Sequence, residues 1–213
     1  MFAAEPPQEP LPYGRWGEAL GEHFARAFAE HGTTMALFLS VRRPRELQAE
    51  LGASRAAAFD VGAACSGFIY STAVAEGMIV SGLAETALVV GVEKLSAIVD
   101  WTDRSTCVLF GDGAGAAVLQ ATKGDHGILG SRMKSDGNYA DFICMPGGGS
   151  NRPANDPKSI EEKLPFIKMK GNETFKVAVK MMADVSAELL AEQGFPLDQV
   201  DLFIPHQANE RII

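Results

Sequence analysis

The chain has 213 residues, of which 46% are hydrophobic and 22% charged, a composition typical of globular proteins that disfavours a disordered or fibrous chain. Asp and Glu outnumber Lys and Arg by 27 to 19, so the net charge of −8 disfavours general binding to nucleic-acid phosphates. No apolar run is long enough to span a bilayer, and the N-terminus lacks a signal-peptide pattern. The three cysteines are too widely spaced for a disulfide framework or a zinc pattern, which favours a reducing cytoplasm.

The first part of the chain is Pro-rich and predicts only a few regular elements. Large apolar residues that recur every four positions predict a helix over residues 16–31, ended by Gly32. Residues 33–41 are a strand candidate, and a short helix is predicted from Pro44 to Gly52.

Strand and helix patterns alternate clearly from residue 56 onward. Residues 56–61 and 86–92 are apolar runs typical of buried strands, the second of a central strand. Between them, residues 65–80 predict a mostly buried helix that Gly82 closes. Further strand candidates are residues 106–110, 114–120, 127–133 and 201–204, whereas residues 146–157 predict a loop and residues 171–192 an amphipathic helix. The alternation predicts an α/β protein with a largely buried sheet.

Cys65 lies between a predicted strand and the first turn of a predicted helix. The N–H groups and dipole at a helix start stabilise a thiolate, the reactive form of cysteine, and the small residues 62–64 would allow a substrate to approach closely. The competing interpretation is a small buried hydrophobe, as most cysteines outside disulfides are. Cys107 and Cys144 lie in strand-like runs and are interpreted as structural.

His206 follows the apolar run VDLFIP, at a strand end where α/β sheets place functional groups. A nucleophilic cysteine with a base histidine far away in the sequence is a known arrangement. Taken alone, a histidine that caps a strand is the favoured interpretation. The other three histidines, His23, His31 and His126, are interpreted as solvated.

The glycine-rich run GDGAGA at residues 111–116 has the spacing of a dinucleotide-binding motif, which requires that a helix open within it. The following residues, AAVLQA, favour a strand, so a tight turn between two strands is the preferred interpretation. A helix after Gly113 would instead favour a dinucleotide-binding oxidoreductase. Arg104, in the run WTDRST, is either a phosphate contact or a solvated loop charge.

Seven collinear runs together resemble the 3-oxoacyl-(acyl-carrier-protein) synthase III family of the thiolase superfamily. They are AFDVGAACSGF around Cys65, ALVVGVEKLS, DWTDRST, LFGDGAGAAVL, PGGGS, MKGNETFKVAV and IPHQANERII. The resemblance covers about residues 46–213 and includes both Cys65 and His206. It implies a thiolase-like, layered α/β/α/β/α fold, which this chain would leave incomplete at both ends.

The resemblance implies a condensing acyltransferase that joins acyl-CoA, acetyl-CoA being expected, to malonyl-acyl-carrier-protein by decarboxylative Claisen condensation, initiating fatty-acid synthesis. Cys65 would take the acyl group, and His206 would help decarboxylation and stabilise the enolate. Arg104 would pack near the CoA nucleotide, and GDGAGA would be a structural turn. The pantetheine tunnel would be lined by Met169, Asn172, Phe175, Ala208 and Asn209, with Arg211 on the carrier-protein docking side. The family is usually a cytoplasmic homodimer, and the reaction is expected to need no metal and no cofactor, since acyl-CoA is a substrate.

The resemblance also suggests how the chain is divided. Residues 1–45 would be a non-matching leader, whose Trp16 is not equated with the family's CoA-stacking tryptophan. Residues 46–135 would form part of an N-terminal thiolase-like half, and residues 136–213 a linker loop and the start of a C-terminal half. The family's third catalytic residue, an Asn in a GNTS-like motif, would lie beyond this chain. Two alternatives stay open: a polyketide-type condensing enzyme with the same Cys and His, and a catalytically dead fragment that only dimerises.

Overall fold

The computed structural model describes residues 34–39, for which only the backbone is considered, and residues 52–53, 55–208 and 210. The helices predicted over residues 16–31 and from Pro44 lie outside the described residues. The described residues divide into two compact units, one within residues 1–92 and 114–124 and the other within residues 93–113 and 125–213. Within the described part, no helix combines the length and the apolar character needed to cross a membrane.

Four strands form the larger sheet, most of which belongs to the first unit. Their order in the sheet is β2–β1–β3–β4, and their bounds are β1 Thr34–Leu39, β2 Ala58–Asp60, β3 Thr86–Lys94 and β4 Asp112–Gln120. β1 runs parallel to both of its neighbours, so that Ala36 pairs with Ala58 on one side and with Leu88 on the other. The first five residues of β3 are buried, which is what an interior strand requires. The strands predicted at residues 33–41, 56–61 and 86–92 are therefore confirmed.

Helix α1 (Gly67–Val80) packs on this sheet through a narrow stripe of small residues. Gly67, Ser71 and Ala75 are its buried residues, spaced four apart on one face. Ala75 packs with Ala87 and Val89 of β3 and with Ala84 in a small apolar core, against which Phe59 and Leu119 also pack. Much of the remaining helix surface is apolar too, yet Phe68 and Ile69 are exposed, so the prediction of a mostly buried helix is only partly met.

The second unit has its own small core and its own long helix. Val99, Cys107 and Ile167 are buried together, and the Ile167 N–H donates to the Ile98 carbonyl at 2.9 Å. The regular elements of this unit are β5 (Ile143–Cys144), α2 (Pro157–Glu161), β6 (Lys168–Met169) and α3 (Gly171–Glu192), with β5 and β6 paired antiparallel. The helix predicted over residues 171–192 is confirmed at both ends, and Gly194 follows it with a φ of 62°.

The strand predicted over residues 106–110 is wrong. Residues Cys107–Leu109 form a 3₁₀ turn, because the N–H groups of Thr106 and Cys107 both donate to the Asp103 carbonyl, at 3.2 and 2.9 Å. These N–H groups are therefore used locally and are not available to a neighbouring strand.

The run GDGAGA does not form the predicted turn either. Its glycines belong to β4, which begins at Asp112, and neither Gly113 nor Gly115 has a positive φ. The strand continues to Gln120, as predicted for residues 114–120, and no helix follows Gly113. The dinucleotide-binding interpretation is thereby excluded, because that motif needs a helix at this position.

The strands predicted over residues 127–133 and 201–204 are absent from the described structure, where both segments lie outside regular elements. Ladder hydrogen bonds define a strand, and neither segment pairs with another described strand. The first segment is tied to α3 by side chains instead, through Arg132, which pairs with Glu188 at 2.8 Å and also with Glu192. An apolar groove follows the same helix, lined by Ile128, Leu129, Leu189, Leu190, Phe195 and Leu202 among others.

The loop predicted over residues 146–157 is confirmed, with α2 beginning at its last residue. Gly147 is needed there because a Cβ at this position would lie 2.8 Å from the Leu164 Cβ and 2.9 Å from its carbonyl carbon. The close approach allows the Gly147 N–H to donate to the Leu164 carbonyl at 2.8 Å.

Two fully buried helical serines differ in their bonding and give a matched stability test. The hydroxyl of Ser71 in α1 has no hydrogen-bond partner among the described residues, whereas that of Ser159 in α2 donates to the Asp156 carboxylate at 3.2 Å. We expect Ser159→Ala to lower the free energy of unfolding by about 1 kcal/mol and Ser71→Ala to leave it unchanged or raise it, since an unbonded buried hydroxyl is a net cost. Urea unfolding of the two variants measures this. Equal destabilisation by both would contradict the expectation.

Candidate active site

Cys65 lies at the junction between β2 and α1. β2 ends at Asp60, residues Ala64–Ser66 form a 3₁₀ turn, and α1 begins at Gly67. Cys65 is exposed within this turn. The predicted position at a strand-to-helix junction is thus the one observed, and the alternative of a buried structural cysteine does not describe it.

The turn that presents Cys65 is backbone-strained. Ala64 has a φ of 45°, in the left-handed region, where non-glycine residues are uncommon and pay about 1–3 kcal/mol. Such strain persists only where the surrounding structure imposes it, and it is concentrated at functional sites. The sequence signal was weak, because alanine at residue 64 gives no hint of a left-handed conformation.

The start of α1 provides an electrostatic environment that suits a thiolate. Ser66 is the N-cap residue, and its side chain makes no capping hydrogen bond. The first N–H groups of a helix lack intrahelical partners, and together with the dipole they favour negative charge nearby. An exposed thiolate beside this helix start would be stabilised without any need for a neighbouring cation.

Met169, Asn172 and Phe175 are grouped around the start of α3. Met169 pairs with Ile143 in the β5–β6 ladder, and Asn172 and Phe175 follow in the first two turns of the helix, three residues apart. Met169 and Phe175 are half-buried, whereas Asn172 is exposed. The structure therefore brings together three of the residues for which a tunnel-lining role was predicted.

Lys170 fixes the start of α3 to the preceding segment. Its N–H donates to the Phe142 carbonyl at 2.8 Å, its ammonium lies 5.6 Å from the Phe142 ring centre, and it pairs with the Asp141 carboxylate. The hydrogen bond between these two side chains raises the pKa of Lys170 and lowers that of Asp141. The Thr174 hydroxyl adds a bond to the Lys170 carbonyl at 2.7 Å.

Arg104 is exposed. It lies on a loop whose tight turns are held by Asp carboxylates that accept hydrogen bonds from backbone N–H groups. Asp100 accepts from the Thr102 N–H at 2.9 Å, and Asp103 accepts from the Ser105 N–H at 3.0 Å. Such turns are formed by Asp side chains that bond backbone two residues ahead. Hydrogen bonds from the side chain and backbone of Ser105 contribute to lowering the pKa of Asp103, the side-chain bond most.

Lys163 links this loop to the end of α2. Its ammonium donates to the Asp100 carboxylate and to the Thr102 hydroxyl, both at 2.8 Å. The bond from Lys163, followed by those from Thr102, holds the pKa of Asp100 far below its usual range. The loop is thereby anchored to the end of α2 through a charged group.

His206 and Ala208 are exposed and lie outside regular structure, beyond the 3₁₀ turn Leu197–Gln199. Asn209 and Arg211, predicted for the tunnel and for carrier-protein docking, lie outside the described residues. The roles predicted for His206 and Ala208 stay predictions. Within the described part, no group of three His, Cys, Asp or Glu side chains is arranged to hold a metal ion.

Sequence reasoning missed two features of the Arg104 loop. Trp101 is exposed beside it, and Ser96 bonds the Asp112 carboxylate through its N–H at 2.8 Å and its hydroxyl at 2.6 Å. The signal for Trp101 was present as a single large aromatic within the polar run DWTDRST. The Ser96–Asp112 pair had no signal, since its partners are 16 residues apart.

Comparison with known proteins supports a relationship to one family of enzymes. Residues 59–137, which include Cys65 and Arg104, match the family model of 3-oxoacyl-[acyl-carrier-protein (ACP)] synthase III. The beta-ketoacyl-[acyl-carrier-protein] synthase III of Caldanaerobacter subterraneus subsp. tengcongensis is 48% identical over 167 residues, 78% of this chain and 50% of that protein. The enzyme of the same name from Sulfurovum sp. is 50% identical over 165 residues, 77% of this chain and 48% of its own length. The chain thus spans about half the length of these curated relatives.

Solved structures show the same relationship. The synthase III of Aquifex aeolicus superposes with a TM-score of 0.72 and 42% identity, covering 85% of this chain and 56% of that one. The Thermus thermophilus enzyme gives a TM-score of 0.76 with 31% identity, covering 92% and 62%. A priming β-ketosynthase from the R1128 polyketide pathway gives 0.69 with 30% identity, covering 84% and 54%. These comparisons confirm the resemblance inferred from the motifs, and with it the thiolase-like α/β fold.

The carboxylate of Asp100 gives a pH-dependent stability test. Because its pKa is lowered in the folded chain, ionised Asp100 stabilises the fold above the unfolded-state pKa of about 3.9, and this contribution is lost as the pH falls towards the folded-state pKa. We expect the difference in unfolding free energy between the wild type and Asp100→Asn to be constant from pH 7 to about 5 and to shrink below about pH 4. Urea unfolding at a series of pH values measures it.

Asp125→Asn is the matched control, because Asp125 makes no hydrogen bond or ion pair with the described residues. It should differ little from the wild type at any of these pH values. A difference for Asp100→Asn that does not change down to pH 3 would contradict the anchoring role of its charge.

Proposed function

We propose that this chain, which is related by sequence and fold to the 3-oxoacyl-[acyl-carrier-protein] synthase III family, carries the acyl-accepting cysteine of a condensing enzyme. The reaction joins acyl-CoA, with acetyl-CoA as the expected donor, to malonyl-acyl-carrier-protein and initiates fatty-acid synthesis. The observation that carries the proposal is the exposed Cys65 on a strained turn at a helix start. Of the three cysteines, only Cys65 is exposed; Cys107 is buried and Cys144 half-buried.

In the first half-reaction, the Cys65 thiolate attacks the carbonyl carbon of the acyl-CoA thioester. The tetrahedral oxyanion collapses, the carbon–sulfur bond to CoA breaks, and CoA leaves as a thiolate that takes a proton. The backbone N–H of Cys65 at the helix start is a candidate donor to the oxyanion. The acyl group is then held on Cys65 as a thioester.

In the second half-reaction, the malonyl thioester loses carbon dioxide, and the electron pair of the broken bond forms an enolate. His206 stabilises the enolate oxygen by donating a hydrogen bond. The enolate carbon attacks the acyl carbonyl on Cys65, and the thiolate leaves as the 3-oxoacyl product forms. No metal and no cofactor takes part in either half-reaction, since acyl-CoA enters as a substrate.

The remaining predicted residues have binding roles in this proposal. Arg104 contacts the nucleotide end of CoA, and Arg211 contacts the carrier protein. Met169, Asn172, Phe175, Ala208 and Asn209 line the channel of the pantetheine arm. The grouping of the first three around the start of α3 supports a shared role, because Lys170 and Asp141 hold that segment in place. A second copy of the chain is the expected partner in a homodimer.

A polyketide-type condensing enzyme is the second candidate, favoured by the similarity to the R1128 priming β-ketosynthase. It would use Cys65 and His206 in the same way, so the two candidates differ in the carrier protein and acyl group that they accept. A catalytically dead fragment that only dimerises is the third, and it predicts that Cys65 is never acylated.

Acylation of Cys65 is the first test of the proposal. We expect acetyl-CoA to add one acetyl group to the chain and peptide mapping to locate it on Cys65. Cys65→Ala should carry no label, whereas Cys144→Ala should be labelled like the wild type. Label confined to Cys107 or Cys144, or none at all, would contradict the proposal, and complete absence would favour the dead fragment.

His206 should separate the two half-reactions. We expect His206→Ala to keep most of the Cys65 acylation, because the helix start stabilises the thiolate without it, and to lose about 10²–10³ in malonyl decarboxylation, the typical effect of removing one oxyanion donor. Acetyl incorporation and carbon dioxide release from malonyl-acyl-carrier-protein measure the two steps. His126→Ala is the control and should change neither. An equal loss of both steps in His206→Ala would refute this division of roles.

A further inference from the structure

Ala64 adopts a backbone conformation that its own side chain opposes. Its φ of 45° lies in the left-handed region, where the Cβ of an L-residue comes close to the following carbonyl oxygen. Glycine has no Cβ and adopts this conformation without that cost. The same preference is visible elsewhere in the described residues, where six glycines have a positive φ and only two other residues do, Ala64 and Lys163.

Stability alone does not explain why residue 64 is an alanine, because the same loop contains a glycine at a position that does not require one. Gly62 is not among the residues with a positive φ, and a Cβ on it would meet no atom within 4 Å. Residue 64, where glycine would be unstrained, carries a methyl group instead. Such a conflict between local preference and observed conformation is characteristic of functional sites.

Lys163 shows one way in which a side chain offsets this strain. Its ammonium donates hydrogen bonds to Asp100 and Thr102, both at 2.8 Å, which a glycine could not do. Ala64 is exposed, and its methyl group makes no polar bond and buries little surface. What the methyl group supplies is restriction, because it closes most of the broad positive-φ region that is open to glycine.

The restricted residue lies in a turn whose hydrogen bonds span Cys65. The Ser66 N–H donates to the Ala63 carbonyl at 3.1 Å, and the Gly67 N–H donates to the Ala64 carbonyl. The φ and ψ angles of Ala64 set the direction in which the chain enters Cys65. A narrow range of these angles therefore confines the Cys65 sulfur to a narrow range of positions at the start of α1.

We propose that Ala64 is a positioning residue for acyl transfer at Cys65: its methyl group keeps the turn in one strained conformation, so that the sulfur stays beside the start of α1. The inference rests on the proposed function for the reaction that Cys65 performs. Ala64 takes no part in the chemical step and acts only through the placement of Cys65.

Two substitutions of Ala64 separate restriction from other effects. Glycine relieves the strain and removes the restriction, whereas serine keeps the Cβ and adds one atom at an exposed position. We expect Ala64→Gly to unfold at a urea midpoint equal to or above that of the wild type. With saturating acetyl-CoA it should nevertheless acylate Cys65 about tenfold more slowly, because small misplacements of reacting groups have effects of this order. Ala64→Ser should acylate like the wild type, and the KM for acetyl-CoA should be the same in all three proteins.

Alkylation of Cys65 by iodoacetamide over a range of pH reports the placement of the sulfur without acyl-CoA. The limiting rate at high pH, where the thiol is ionised, should be the same in all three proteins. The pH of the half-maximal rate should rise by about half a unit in Ala64→Gly and stay unchanged in Ala64→Ser, since a sulfur held less closely to the helix start is less stabilised as a thiolate. Mass spectrometry of the Cys65 peptide separates this reaction from any at Cys107 or Cys144.

The outcomes distinguish a positioning role from a structural one. A lowered urea midpoint in Ala64→Gly would mean that the methyl group supports the fold, and would overturn the proposal. An unchanged alkylation midpoint in Ala64→Gly, or an equal loss of acylation in Ala64→Ser, would overturn it as well.

The same measurements separate this proposal from the proposed function. If acetyl-CoA acylates Cys65 equally fast in the wild type and in Ala64→Gly, the positioning proposal fails and the proposed function stands. If acetyl-CoA labels neither protein but Ala64→Gly shifts the alkylation midpoint, the proposed function fails, whereas the placement of the Cys65 sulfur by Ala64 stands.

Discussion

The left-handed conformation of Ala64 is the constraint on which the arrangement at Cys65 depends. It redirects the chain from the end of β2 into α1 within a single 3₁₀ turn. A non-glycine residue keeps this conformation only while the elements on both sides are fixed. β2 is fixed by its parallel pairing with β1, and α1 is fixed where Ala75 packs against Ala87 and Val89. The small residues of this interface, which contribute little apolar area each, thereby have a role beyond stability: they set the position of Cys65.

The second unit depends on a different kind of interaction, in which carboxylates bond nearby N–H groups and hydroxyls. Asp100, Asp103 and Asp136 each accept from the N–H two residues ahead, and Asp156 caps α2 through Ser159. The side-chain bond from Ser105 is the largest cause of the lowered pKa of Asp103. For Asp100, the bond from Lys163 is the largest cause, and the bonds from Thr102 add to it in lowering the pKa. Among the described residues, the buried apolar cluster of this unit consists of Val99, Cys107 and Ile167, so these polar bonds support loops that bury little apolar surface.

How far the sequence could predict this structure depended on where the hydrogen bonds lie. α3 was predicted at its observed bounds, because its periodicity and the glycine after it are local signals. The interior strand β3 was found for the same reason, as an unbroken apolar run. Residues 201–204 also contain a short apolar run, yet a strand needs a partner, and no described strand pairs with them. The strand predicted over residues 106–110 was wrong because the Asp103 carbonyl accepts hydrogen bonds from two of its N–H groups. The composition of the segment does not reveal this competition.

The same distinction applies to the candidate site. The position of Cys65 could be predicted, since a cysteine between a strand pattern and a helix pattern is visible in the sequence. The strain at Ala64 could not be predicted, because it depends on a backbone angle. The anchoring of Trp101 could not be predicted either, because it depends on a hydrogen bond to another part of the chain.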